Sequence, residues 1–300
     1  MENECQILKN ALKDKGDVLI NYVLSKTKRE RYEIRNAYKS VFGKDLLEEI
    51  DHALSGNFSK AVIDLFRPPQ ERDAFYLYKS MKGVGTDEET LIEIVCSRPN
   101  VDLIKIKDEY KRLYNEELEK KVTSDTSGDL RKILISVLQC QRSENSQPNE
   151  AECQKIAEDL YKAGEGKLGT DEPTFNKVFA LSSPPELYSI NTHYSQISSR
   201  TLSEAVDKEF SGNIKLALNT ILEANISPSH YFARRINKAV KGLGTNDKML
   251  IRNLCAREDI DMKEIRNSYQ TLFGKDMVTD IKNDTSGDYQ KLLMMLASRD

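Results

Sequence analysis

The stretch Met81-Lys82-Gly83-Val84-Gly85-Thr86-Asp87-Glu88 returns as Val240-Lys241-Gly242-Leu243-Gly244-Thr245-Asn246-Asp247, and in a stretched form as Gly164-Glu165-Gly166-Lys167-Leu168-Gly169-Thr170-Asp171-Glu172. Each copy is followed at one fixed distance by an acidic residue two places before a Ser-Gly pair. That distance is 42 residues, from Gly83 to Asp125, from Lys167 to Glu209 and from Gly242 to Asp284. A glycine-rich turn with a remote carboxylate, repeated three times at constant spacing, is a built feature and organises the reading of the whole chain.

Working outward, the segment Ile34 to Leu46 matches Ile265 to Met277, with weaker copies beginning at Ile106 and Ile190. Ser-Gly pairs begin at Ser55, Ser127, Ser211 and Ser286, and both markers advance in steps of 72, 84 and 75 residues. Internal periods of this kind define repeats. Four are expected, over residues 1–68, 69–140, 151–225 and 226–300, with a polar linker at 141–150. Within a repeat, Leu91, Ile94, Val95 and Arg98 follow a helical period, as do Ile106, Tyr110 and Leu113, and Ile133, Leu134, Val137 and Leu138. Thr86 with Glu89 three residues on reads as a capping box. Prolines fall between these runs, where they do not break a helix. No segment alternates long enough to be a strand, so the expected fold is all-α, several short helices per repeat.

The 300 residues are 31% charged and 39% hydrophobic, a balance suited to a helical globular protein, and the net charge is −3. That charge gives no attraction to nucleic acid or to an anionic bilayer. No apolar run approaches the roughly 18 residues of a membrane-spanning helix. The polar start Met1-Glu2-Asn3-Glu4-Cys5 does not read as a signal peptide, and a cytoplasmic location is expected. Five cysteines (Cys5, Cys96, Cys140, Cys153 and Cys255) show no Cys-x-x-Cys pairing and read as buried reduced thiols. His52, His193 and His230 lie in different repeats with no nucleophile at a suggestive spacing, and no catalytic residue is assigned.

The loop chemistry points to calcium. This ion takes six to eight oxygens and accepts backbone carbonyls. A short loop can aim several carbonyls at one point only if its backbone turns sharply, and glycine permits that. The loop then supplies neutral oxygens and the distant acid supplies charge. In this reading the second repeat offers the carbonyls of Met81, Gly83 and Gly85 with the Asp125 carboxylate. The third offers Gly164, Lys167, Gly169 and Glu209, and the fourth Val240, Gly242, Gly244 and Asp284. A single Gly-x-Gly-Thr would be read as a helix-joining turn. A nucleotide-binding loop is disfavoured because no strand precedes it and no Gly-Lys-Ser/Thr follows.

These residues resemble the calcium-binding repeat of the annexin family, lysine-glycine-x-glycine-threonine with a remote Asp or Glu, and the resemblance spans all four repeats. It implies five short helices per repeat, a slightly curved disc, and calcium loops on a convex face that meets acidic phospholipid. It also implies that Val84, Leu168 and Leu243, at the loop tips, enter the headgroup region. Two resting shapes are open to the third loop, one with Leu168 exposed and one with it buried. In the first repeat the matching positions are Ala11, Lys13 and Ala53, and the nearby Asp14, Gly16 and Asp17 do not rebuild the loop, so no calcium is expected there. In the third repeat Ala180-Leu181-Ser182 stands where Arg98 and Arg257 stand in the second and fourth, removing a charge but no expected ligand. Glu93 and Arg252 occupy equivalent positions, as do Arg98 and Arg257, and the resemblance implies that they line a polar centre as a structural ion-pair network. The leading reading is calcium-dependent, reversible binding to acidic phospholipid membranes. A helical scaffold with a cytoskeletal partner and an ion-conducting protein are the alternatives.

Overall fold

The computed structural model describes residues 1–299. Twenty α-helices and no strand occur among them. They fall into four sets of five: α1–α5 (Glu2–Asp14, Gly16–Ser25, Lys28–Phe42, Leu46–Ala53, Gly56–Phe66), α6–α10 (Pro69–Ser80, Glu88–Ser97, Asn100–Tyr114, Leu118–Asp125, Gly128–Leu138), α11–α15 (Glu150–Ala163, Glu172–Leu181, Pro184–Ile197, Leu202–Glu209, Gly212–Ile226) and α16–α20 (Pro228–Val240, Asp247–Arg257, Met262–Phe273, Met277–Asp284, Gly287–Ala297). The all-α expectation therefore holds, and each Ser-Gly pair opens the fifth helix of its set.

The helices assemble into two compact units that cut across chain order. One contains residues 1–72 and 229–300, the other residues 73–228. The first thus joins the first and fourth repeats, the second joins the middle two. Within each unit the packing is reciprocal. In the second, α15 packs on α7 and α10 on α12; in the first, α5 packs on α17 and α20 on α2. The fifth helix of one repeat therefore lies against the second helix of its partner. Two of these second helices, α7 and α17, are enclosed by their neighbours and buried nearly all round. Leu91, Ile92, Ile94 and Val95 of α7 are buried, as are Leu250, Ile251 and Leu254 of α17. Fully burying a side chain of this size contributes about 1.5–3 kcal/mol.

The first unit also holds a buried ion network. Arg31 of α3 is 0% exposed. Its Nε donates to the Leu65 carbonyl at 3.0 Å and its Nη1 to the Lys26 carbonyl at 2.9 Å, serving orphan carbonyls where α5 and α2 end. Its Nη2 pairs with buried Glu258. Arg299 completes the cluster, with Nη1 on Glu258 Oε2 at 2.6 Å and Nη2 on the Leu24 carbonyl at 2.6 Å. The cysteines form no disulfide; four are buried, but Cys140 is only half-buried, beyond the end of α10 where less chain covers it.

The linker at 141–150 is held down rather than free. Ser143 N–H donates to the Leu181 carbonyl at 2.6 Å, and Arg142 Nη1 donates to the Ser182 carbonyl at 2.9 Å. Arg142 thereby brings a guanidinium to the end of α12, where the third repeat lacks an arginine of its own.

Candidate metal centres

Three loops interrupt the helices at 81–87, 164–171 and 241–246. Each is closed by the same backbone hydrogen bond across its base: Asp87 N–H to Ser80 O (2.8 Å), Asp171 N–H to Ala163 O (2.7 Å) and Asn246 N–H to Ala239 O (2.8 Å). In the second repeat the turn depends on Gly83 and Gly85, with φ of 103° and 87°. A Cβ at either would meet nothing within 4 Å, so the requirement is the left-handed backbone, not space. Gly242 and Gly244 repeat this geometry, and Gly169 supplies the one positive φ of the third loop. At the tips, Val84, Leu168 and Leu243 are 109%, 103% and 109% exposed. The third loop thus rests with Leu168 out, the first of the two shapes left open above.

The helix after each loop is capped differently from the sequence expectation. The N-cap of α7 is Asp87, whose carboxylate accepts from Thr90 N–H at 3.0 Å. Asp171 and Asn246 do the same for α12 and α17. Thr86 is not half of a capping box, because its hydroxyl is used elsewhere. It donates to the main-chain carbonyl of Asp125 at 3.2 Å. Thr170 donates to Glu209 Oε2 at 2.8 Å. Thr245 donates to both the Asp284 carbonyl (2.7 Å) and Asp284 Oδ2 (2.6 Å). The loop threonine is therefore the tether that brings the remote acid to the glycine turn. Its signal was present in the sequence as a constant 39-residue separation from the acid in all three copies.

Each acid is the last residue of the fourth helix of its repeat, Asp125 on α9, Glu209 on α14 and Asp284 on α19. In the third repeat the approach of the two halves is direct, since a Cβ on Gly164 would lie 3.3 Å from Glu209 Cγ. The second repeat is looser. Its carboxylate is engaged by Lys121 Nζ and Ser124 Oγ, each at 2.9 Å from Oδ1. The first repeat has no loop at all. Its first helix continues to Asp14, carrying Ala11 and Lys13 on helical backbone, and Lys15 alone joins it to α2, while Ala53 ends α4 where the others carry an acid. Of the other expected residues, Glu93 and Arg252 are buried, each in its own unit. Arg98 pairs with Asp73 at 2.7 Å, and Arg257 pairs with Asp261 and lies over the Phe232 ring.

The third loop contains one element that the sequence reading passed over. Glu165 is 6% exposed at its side chain and accepts from Tyr194 Oη (3.0 Å), Ser198 Oγ (2.9 Å) and Arg200 Nη1. Burial would push its carboxyl up, but the Ser198 and Tyr194 hydroxyls and the Arg200 guanidinium together hold it below the usual range.

The neutral carbonyls of each turn, taken with its one acid, would suit a hard cation, and among the described residues no three His, Cys, Asp or Glu side chains gather as a side-chain cage. A sequence model of the annexin family matches residues 3–65, 72–137, 155–221 and 231–296, one segment per five-helix set. The chain belongs to the annexin family. Human annexin A7 is 38% identical over 299 residues, covering 99% of this chain and 61% of its own length, so the chain spans about three-fifths of that relative. The solved structure of annexin III superposes with a TM-score of 0.95 at 32% identity, covering 100% of this chain and 94% of its own. That of calcium-bound annexin (Sm)1 superposes with a TM-score of 0.88 at 28% identity, covering 99% and 90%. Annexins are known for calcium-dependent phospholipid binding and are generally non-enzymatic membrane binders. In this annexin no helix of the described residues is long and apolar enough to cross a membrane.

The tether makes a prediction of its own. Thr245→Val removes a hydroxyl donor to the Asp284 carboxylate, an interaction class worth about 1.5–3 kcal/mol when charge-assisted and less at a half-exposed site. On the reading that the fourth repeat holds calcium, its midpoint should rise about threefold to tenfold in a calcium titration, with the fold unchanged. An unaltered midpoint would reduce the tether to a packing contact.

Proposed function

We propose that this annexin binds acidic phospholipid membranes reversibly and under calcium control, through the loops of its second, third and fourth repeats. The observation that supports the reading is the conjunction, in each loop, of a fully exposed apolar tip with an acidic residue tied to the same turn by the loop threonine, through its main-chain carbonyl in the second repeat and through its carboxylate in the third and fourth. The carbonyls of Met81, Gly83 and Gly85 with Asp125, of Gly164, Lys167 and Gly169 with Glu209, and of Val240, Gly242 and Gly244 with Asp284 would hold the ion. Calcium bound to a single carboxylate would leave each loop one net positive charge for a lipid phosphate, which a chain of net charge −3 otherwise repels. The tips add an apolar anchor. Calcium and membrane then strengthen each other's binding by the same factor, as linkage requires. The first repeat, helical where the others turn, contributes no such site.

The test is co-sedimentation with phosphatidylserine vesicles. Protein should pellet with calcium and stay in solution with chelator. The variant Val84→Ser/Leu168→Ser/Leu243→Ser, which leaves the charge of each loop unaltered, should bind calcium in solution as the parent does, yet lose about tenfold or more in vesicle affinity, from the roughly 1.5–3 kcal/mol that burying one such side chain contributes. Parent-like pelleting of that variant would make the tips bystanders, and no pelleting of the parent with calcium would remove the proposal.

A further inference from the structure

We infer that Glu165, the acid carried by the stretched third loop, is a positioning residue that holds this loop in its ligand-ready shape before any metal arrives. The inference rests on the third loop being a calcium site. It deepens that reading by naming what sets the site apart from its counterparts.

The four repeats provide an internal comparison. Tyr38, Tyr110, Tyr194 and Tyr269 occupy equivalent places on α3, α8, α13 and α18, and all four are fully buried. The hydroxyls of Tyr38 and Tyr110 find no hydrogen-bond partner. That of Tyr269 is taken within its own repeat, by Asp280 at 2.7 Å and Asn237 at 2.9 Å. Only in the third repeat does the loop itself supply the partner, through Glu165. The same carboxylate binds Ser198 and Arg200, which lie on the connection from α13 into α14, the helix that ends at Glu209. Loop and ligand helix are thereby fastened together twice, by Glu165 on one side and by Thr170 on Glu209 on the other. Gly166 closes the remaining side. Its N–H donates to the Tyr161 carbonyl at 2.7 Å, and a Cβ there would sit 3.0 Å from that oxygen. With these contacts made, Leu168 stands exposed.

A site that is already shaped binds with its full intrinsic affinity, whereas one populated only a tenth of the time binds about tenfold more weakly. Releasing the clasp should therefore cost calcium affinity at the third repeat alone. The experiment uses the full chain carrying Asp125→Asn and Asp284→Asn, so that only the third site reports, and Leu168→Trp, which adds the sole tryptophan. Without calcium the parent should show water-exposed emission. Glu165→Ala and, separately, Arg200→Ala should shift that emission to the blue and raise the calcium midpoint about tenfold, with the melting temperature of Arg200→Ala held close to the parent's. Arg200 lies outside the loop, so its variant carries the test even if Glu165→Ala fails to fold. Unchanged calcium-free emission in both variants, or an unchanged midpoint, would overturn the inference. If the parent takes up no calcium, it is the calcium reading that fails, and the calcium-free emission by itself decides whether Glu165 sets the loop's shape.

Discussion

Asp125→Asn, Glu209→Gln and Asp284→Asn together should abolish calcium-dependent sedimentation with phosphatidylserine vesicles while leaving helix content and melting temperature as they were. The size of the effect follows from the donor sets. Every other oxygen proposed to hold the ion is a neutral carbonyl, so each substitution removes the only charge in that donor set. A hard divalent cation loses far more from that than from one missing dipole. The substitutions are mild for the fold because of where the acids sit. Each closes a helix at its C-terminal end, where the helix dipole already presents partial negative charge. A carboxylate there is mildly unfavourable, and its neutral isostere is tolerated. Single variants should separate the sites. Asp125→Asn should cost least, because Lys121 and Ser124 already compete for that carboxylate, and Glu209→Gln and Asp284→Asn more. Binding that persists in the triple variant would place the membrane contact away from these loops.

Arg31→Met should lower stability by about 3–5 kcal/mol, the cost of removing one partner from a buried ion pair. For a unit of this size each kcal/mol moves the melting temperature by about 2–4 °C, so a drop of about 10 °C is expected by calorimetry. The loss has two parts. The carbonyls of Leu65 and Lys26 lose their donors, and Glu258 keeps Arg299 but loses its fully enclosed cation. Burial already holds the Glu258 carboxyl above its usual range despite Arg31 beside it, and without Arg31 it should rise further. The sign of the pH effect follows. A carboxyl whose folded value is raised binds its proton more tightly in the folded state, so stability falls as pH climbs from the ordinary carboxylate range through the raised value. The variant should therefore be less impaired in mild acid than at neutral pH. Adding Glu258→Leu should recover part of the loss, since an apolar pair can replace a buried ionic one. A shift of less than about 2 °C for Arg31→Met, below the 2–4 °C expected of a single kcal/mol, would mean that solvent reaches the cluster.

The chain's local physics was legible directly. Apolar periodicity marked the helices, Ser-Gly pairs marked where the fifth helix of each set begins, and Gly83, Gly85, Gly242 and Gly244 marked turns because only glycine readily takes their backbone angles. The constant spacing to Asp125, Glu209 and Asp284 named the acids, and Ala11, Lys13 and Ala53 named the repeat without a loop. Other features were beyond it. Thr86 was read as a cap because threonine is a good one, yet Asp87 is equally good and one place nearer the helix, and the Thr86 hydroxyl is instead spent on the Asp125 carbonyl. Glu165 carried no signal in the sequence because its partners, Tyr194, Ser198 and Arg200, come from elements some 30 residues away. The assignment of the first repeat to the fourth, and of the second to the third, depends on which apolar helix faces match in three dimensions. Periodicity says that a face must be covered but not by what. The sequence by itself determined the repeats, their helices, the turns and the acids, because each is set by short-range backbone preference or by a spacing that recurs. The tertiary structure alone decided which repeats bury one another and which side chains tie each acid to its loop, because those contacts join residues that only packing brings together.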